Sequence, residues 1–194
     1  MRLELLHPDV FSIHDALDAE RCRALVSFAE ESGFEPAPVT TAQGPRMLTQ
    51  VRDNTRVMLD DRALATELFS LWKPLLPEHW LHPEGWTCIG LNERLRFYRY
   101  ARGQRFKMHR DGRFERDNGE RSKLTLLLYL NDDLQGGHTR VLTAQGEFDI
   151  APRQGSALCF KHELRHEGAP ILEGLKYVLR TDIMYAAEAP PAHS

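Results

Sequence analysis

Apolar positions in the first part of the chain recur at helical spacing. Cys22, Leu25, Val26 and Ala29 stand at i, i+3, i+4 and i+7, which predicts a helix with Asp15 or Asp18 as its N-cap and Gly33 as its stop. A second helix is predicted over Asp61 to Lys73, where Leu64, Leu68, Leu71 and Trp72 form a stripe that Pro74 and Pro77 end. Residues 35–56 read as an irregular, polar connection, and 77–90 as a loop carrying proline and glycine. From about Leu91 onward the pattern turns strand-like. Strands are predicted at Leu91–Tyr100, Arg105–His109, Lys123–Leu130, His138–Leu142, Gly146–Ile150, Ser156–Phe160 and Leu175–Tyr185. "ARGQ", "DGRFERDNGER", "NDDLQGG" and "APRQG" separate them with good turn chemistry. Many short strands behind leading helices predict an α+β, mainly β fold, a jelly roll backed by N-terminal helices.

The 194 residues suit one domain: helical support and first strands over 1–90, a β core over 91–185, and a frayed tail, "AAEAPPAHS", over 186–194. No signal peptide is indicated at the start, and no apolar run approaches the roughly 18 residues that span a bilayer. Three widely spaced cysteines, Cys22, Cys88 and Cys159, argue against a disulfide framework and for a reducing cytoplasm.

A net charge of −3 gives no whole-protein case for nucleic acid or anionic membrane as partner. Its distribution is uneven. Eleven Lys and Arg against four acids between Arg94 and Lys123 make that window +7, so the rest of the chain sums to −10. Such a window is either a solvated face or a pocket prepared for an anion.

Inside it lies "FKMHRDGRF". Residues i and i+2 of a strand point the same way, so His109 and Asp111 can reach one ion together. Two histidines and a carboxylate leave open positions on Fe(II), with donors suited to that metal. The second histidine must come from a distant strand. His138, His162 and His166 are the candidates. Lys176 lies ten residues after His166, across a turn, and sets an ammonium near the metal on the neighbouring strand. A dicarboxylate that chelates iron at one end needs a cation at the other, and His166 gives Lys176 that relation. By contrast, His162 reads as an exposed or capping residue, and His138 as the entry to a hairpin's second strand.

The segment from about Leu95 to Tyr185 resembles the prolyl 4-hydroxylase-like branch of the Fe(II)/2-oxoglutarate dioxygenases. The resemblance is carried by "RFYRYARGQRFKMHRDG", "LTLLLYLNDDLQGGHTRV", "GSALCFKHELRHEG" and "LKYVLRTDIMY", in that order. It implies a double-stranded β-helix, iron held by His109, Asp111 and His166, and the distal carboxylate of 2-oxoglutarate paired with Lys176. Tyr100 would hydrogen-bond the cosubstrate, with Tyr129 and Arg180 as further contributors. One departure is His138 before Thr139, where an acidic residue is commoner.

The chemistry implied is oxidative decarboxylation of 2-oxoglutarate to succinate and CO2 with O2, coupled to hydroxylation of a C–H bond, with ascorbate as a supporting reductant. Alternation along residues 92–100 puts Arg96 and Tyr98 on the face of Tyr100, which makes them the substrate-pocket candidates. The leading substrate is a prolyl or other residue of a protein or peptide. A free amino acid or small carboxylate is the alternative, and a non-catalytic module sensing metal or 2-oxoglutarate is a reading from a different class. Nucleic acid and membrane are not expected as partners. The oligomeric state is not encoded in any pattern found. Segment 112–122, polar and bearing two glycines, is expected to act as a lid.

Overall fold

The computed structural model describes residues 1–41 and 43–188. Its strands are β1 (Arg2–His7), β2 (Val10–His14), β3 (Thr55–Asp60), β4 (Trp86–Leu91), β5 (Arg94–Tyr100), β6 (Phe106–His109), β7 (Arg121–Tyr129), β8 (Thr139–Thr143), β9 (Gly146–Ile150), β10 (Ala157–Lys161), β11 (Arg165–Gly168) and β12 (Lys176–Ala187). Shorter strands occupy Glu35–Pro36, Val39–Thr41, Gly44–Arg46, Gln135–Gly136 and Ile171–Glu173. Two helices, α1 (Ala19–Ser32) and α2 (Arg62–Trp72), precede most of them.

Both helices begin where a short polar side chain can accept from the first turn. Asp18 accepts from the Arg21 amide and Asp61 from the Leu64 amide, each satisfying a donor that has no partner within its helix. Gly33, at φ +80°, ends α1 in a conformation that costs glycine little.

A nine-stranded antiparallel sheet runs β1-β2-β10-β7-β12-β5-β3 and ends on Glu35–Pro36, with β4 pairing the far half of β12. A second sheet, β9-β8-β11-β6, completes a jelly roll. Period-two alternation sorts the main sheet's side chains. Leu95, Phe97, Leu124, Leu126, Leu128, Leu179 and Ile183 pack against Leu25, Leu64, Leu68 and Trp72 of the helices. On the opposite face Tyr129, Leu158, Phe160 and Val178 meet Val141 of the small sheet. Both faces of β7 are therefore buried, which is why "LTLLLYL" is almost continuously apolar.

Several sequence expectations need correction. The 77–90 segment is not simply a loop: it holds a helical turn, Glu78–Leu81, and then β4, which finds its hydrogen bonds on the free half of long β12. The irregular connection 35–56 contains three short strands, and the N-terminal hairpin β1–β2 carries no marked alternation that would announce it. Of the expected frayed tail, Ala186 and Ala187 continue β12 on β4, while 189–194 lie outside the described residues. Gly155 shows how the hairpin docks. Its φ is +77°, and a β-carbon there would lie 2.0 Å from the Leu17 carbonyl oxygen.

Candidate metal and dicarboxylate site

Strands β6 and β11 pair so that His109 stands directly opposite His166. Their rings lie 4.2 Å apart, and Asp111, just past the end of β6, faces both. Its carboxylate oxygens are 3.7 Å from His109 Nε2 and 3.4 Å from His166 Nε2. One ligating atom from each of the three residues falls within 4.8 Å of the others, close enough to share an ion.

The protonation pattern suits a cation. His109 Nδ1 lies 2.8 Å from the Lys107 carbonyl and His166 Nδ1 lies 3.1 Å from that of Leu164. A carbonyl can only accept, so each Nδ1 carries the proton and each Nε2 presents its lone pair. Burial drives His166 down to about 4, which keeps it neutral near pH 7. Burial opposes ionisation of Asp111, yet the Arg180 guanidinium 3.3 Å away outweighs it and holds the carboxyl well below its usual range. Two neutral imidazoles and one carboxylate are the donors that Fe(II) accepts while keeping positions open.

Behind Asp111 runs a chain of hydrogen bonds. Thr125 Oγ1 donates to Asp111 Oδ2 at 2.6 Å and lies 2.9 Å from His162 Nδ1, while His162 Nε2 meets Ser122 Oγ at 2.8 Å. Ser122 Oγ in turn accepts from the Phe114 amide. His162 is thus neither exposed nor a cap: only 6% of it is accessible, and it orients the threonine that orients Asp111. Its one-turn neighbour in sequence, His166, lies on the other sheet, which separates the two roles.

A cavity of about 450 Å³ opens from the triad. Lys176 lies at its buried end, where Nζ donates to the Gly137 carbonyl at 2.5 Å and stands 5.3 Å from the Tyr129 ring centre and 5.8 Å from that of Tyr100. Burial lowers its ammonium to about 7, and no carboxylate pairs with it among the described residues. Gly137, at φ +65°, is needed here: a β-carbon would come within 2.4 Å of Ile171 and 3.3 Å of the Lys176 stem.

Tyr100 is opposite Lys176 and Tyr98 opposite Val178 in the β5–β12 register, and Arg96 is opposite Arg180. All of these line the cavity. Tyr129 does not border it; its hydroxyl donates to Thr139, and Thr139 forms the wall instead. Arg180 is engaged at the triad end rather than beside Lys176, at 3.3 Å from Asp111 and 3.1 Å from Asp182. Among residues with no strand or motif signal, Arg52 stands out. Backbone bonds between 51–53 and 105–107 lay it over Phe106, whose ring stacks on His109 at 3.5 Å. His138 stays outside the triad and faces Asp149 at 3.5 Å.

A jelly roll whose metal triad and buried lysine share one cavity defines an oxygenase that takes iron and a dicarboxylate cosubstrate. Residues 95–181, which carry the triad and Lys176, match the 2OG-Fe(II) oxygenase superfamily, and this match with the prolyl 4-hydroxylase relatives indicates a 2-oxoglutarate/Fe(II)-dependent dioxygenase. It is 24% identical to probable prolyl 4-hydroxylase 3 of Arabidopsis thaliana over 200 residues, which cover 88% of this chain and 67% of the relative. In structure it resembles a Pseudomonas putida prolyl-4-hydroxylase (TM-score 0.66, 21% identity, 90% of this chain and 91% of that one). A prolyl hydroxylase of Trichoplax adhaerens, solved with a hypoxia inducible factor oxygen degradation domain peptide, is similar as well (TM-score 0.66, 16% identity, 90% and 83%).

Proposed function

We propose that this oxygenase hydroxylates a prolyl or other residue of a protein or peptide, with His109, Asp111 and His166 holding iron and Lys176 holding the distal carboxylate of 2-oxoglutarate. The observation that carries the assignment is the pairing, in one cavity, of the triad with a buried ammonium that lacks a carboxylate partner among the described residues. An uncompensated buried charge is costly, and a carboxylate delivered by the cosubstrate removes that cost. The prolyl reading draws on the relatives, which carry prolyl hydroxylase names, and on the peptide bound to one of them.

Bound iron with 2-oxoglutarate and O2 supplies the oxidising power for C–H hydroxylation; the protein contributes positioning and exclusion of water. The two Nδ1–carbonyl bonds fix both imidazoles, Thr125 fixes the carboxylate, and the walls formed by Tyr98, Tyr100 and Thr139 shield the Lys176 end. A cytoplasmic location is consistent with three cysteines that are buried and unpaired. No helix among the described residues is long and apolar enough to cross a membrane. A small carboxylate or free amino acid is the second reading, and the number of arginines around the cavity favours it.

The test is succinate release from 2-oxoglutarate with Fe(II) and ascorbate, together with a mass-spectrometric search of cell extract for oxygen-bearing products. His109→Ala, Asp111→Ala and His166→Ala should each abolish turnover, and His138→Ala should retain most of it. Full activity in any of the three triad variants would remove that residue from the site.

A further inference from the structure

Resting on the oxygenase reading, the arginines around the cavity point to the chemistry of its substrate. Eight lysine and arginine side chains line it against two aspartates. Lys176 answers the cosubstrate. Arg96 and Arg180 share Asp182, at 3.4 and 3.1 Å. Arg52 is different, because it is buried and no carboxylate pairs with it among the described residues.

Its guanidinium carbon lies 4.3 Å from the Tyr98 ring centre and 4.6 Å from that of Phe106. Only 6% of the residue is accessible; Nε donates to Asn54 Oδ1 at 2.7 Å, and Nη2 is buried without a hydrogen-bond partner. Arg56 stands opposite Tyr98 in the β3–β5 register, and its Nε is likewise buried and unpartnered, with Glu35 3.8 Å away at the surface. Two arginines that line one cavity thus each bury a guanidinium nitrogen without a hydrogen bond, which is costly unless an anion completes them.

This cluster is distinct from the cosubstrate's cation. The Arg56–Tyr98–Val178 row lies two residues along the strands from the Tyr100–Lys176 row, about 7 Å at strand rise. Phe106 links the cluster to the metal, touching Arg52 with its ring while stacking on His109. A group seated at Arg52 is therefore one aromatic ring away from the triad.

We propose that the substrate presents a carboxylate beside the carbon that is hydroxylated, and that Arg52, with Arg56, receives it. A guanidinium fixed by ring stacking offers its remaining edge as a planar fork that matches a carboxylate. The chain outside residues 94–123 sums to −10, which opposes a long polyanion but not a single carboxylate. An acidic side chain flanking a prolyl residue and the α-carboxylate of a free amino acid are the two sources of this group.

The test uses the full chain with Mn(II) in place of iron and 2-oxoglutarate present, so that binding is read without turnover. A short peptide library with a central proline and randomised flanks is passed over the immobilised protein, and the retained fraction is sequenced. Aspartate and glutamate should exceed asparagine and glutamine at one flanking position by about thirtyfold, the loss typical of removing one partner of a desolvated ion pair. In a second arm, L-proline is compared with L-prolinamide by calorimetry, and preference for the acid in this arm alone assigns the carboxylate to a free amino acid. Arg52→Gln should abolish whichever preference is found and Arg56→Gln should weaken it, with thermal melts confirming that both fold. A flat or basic profile together with equal binding of L-proline and L-prolinamide overturns the proposal, as does tighter retention of a single-stranded oligonucleotide than of any peptide. Absence of succinate release by the iron-loaded enzyme would instead count against the oxygenase reading, leaving the carboxylate preference to be judged on the binding data.

Discussion

Lys176 shows most directly how a side chain can be held at a cost that function repays. Buried without a carboxylate, its ammonium drops to about 7 in the folded chain, whereas an unfolded lysine titrates near 10.4. Between those values the unfolded state binds more protons, so stability without cosubstrate should rise with pH above about 7. The full effect is at most about 5 kcal/mol, and the buried cysteines limit the clean window to below about pH 9. Urea denaturation at pH 7 and pH 8 should show the start of this rise in the wild type and lose it in Lys176→Met. The same variant should bind 2-oxoglutarate far more weakly, by about 3–5 kcal/mol as for a broken buried pair, while still binding Fe(II). Equal 2-oxoglutarate affinity in the two proteins would refute the pairing. His162 makes a second residue-scale case. His162→Ala removes the partner of both Thr125 and Ser122, and loss of such support behind a metal ligand typically weakens metal binding about 10–100-fold. Titration with Fe(II) under anaerobic conditions checks it.

At the scale of an element, segment 112–122 leaves directly from Asp111, and it is tied down more firmly than its composition predicts. Arg116 pairs with Glu93 and Glu120, Phe114 exchanges bonds with Ser122, and Phe114 and Arg113 reach the cavity. These contacts are few and mostly near solvent, so the segment should open more readily than β6 or β7. Arg116→Ala should raise amide exchange over 112–120 and leave the flanking strands unchanged. If the segment closes over substrate, the same variant should impair product hydroxylation more than substrate-independent 2-oxoglutarate decay. Normal hydroxylation in a loosened loop would make it only a connection.

For the whole molecule, the helical layer and the catalytic sheet are one core. Trp72 is 1% exposed, packs among residues of the main sheet and donates its indole N–H to the Ala16 carbonyl at 2.8 Å. Trp72→Ala should cost about 3–5 kcal/mol, read as a lower urea midpoint. The triad stands on the other side of the main sheet, so Fe(II) affinity below the transition should hardly change. A large loss of affinity in the folded variant would show that the helices shape the site as well as support it.

Period two made much of this protein readable from its residues. His109 and Asp111, Arg96 and Tyr98, and Lys176 and Arg180 share faces because alternate residues of a strand must, and the two long helices were marked by their caps and apolar stripes. Other features depended on packing between distant segments. Local sequence does not distinguish His162 from His166 by environment: both are buried, but one faces Thr125 beneath Asp111 and the other, on β11, faces His109 on neighbouring β6. The resemblance implied Tyr129 as a contributor to the cosubstrate, yet its hydroxyl donates to Thr139, and Thr139 lines the cavity in its place. Strand β4 exists because β12 has a free edge to pair with, which residues 86–91 alone do not reveal. Arg52 lies in a stretch with neither helical nor strand periodicity, and only its backbone pairing with 105–107 turns it into a buried cation over Phe106. Periodicity records which way a side chain points within its own element; what it meets there is settled by segments far away in the chain.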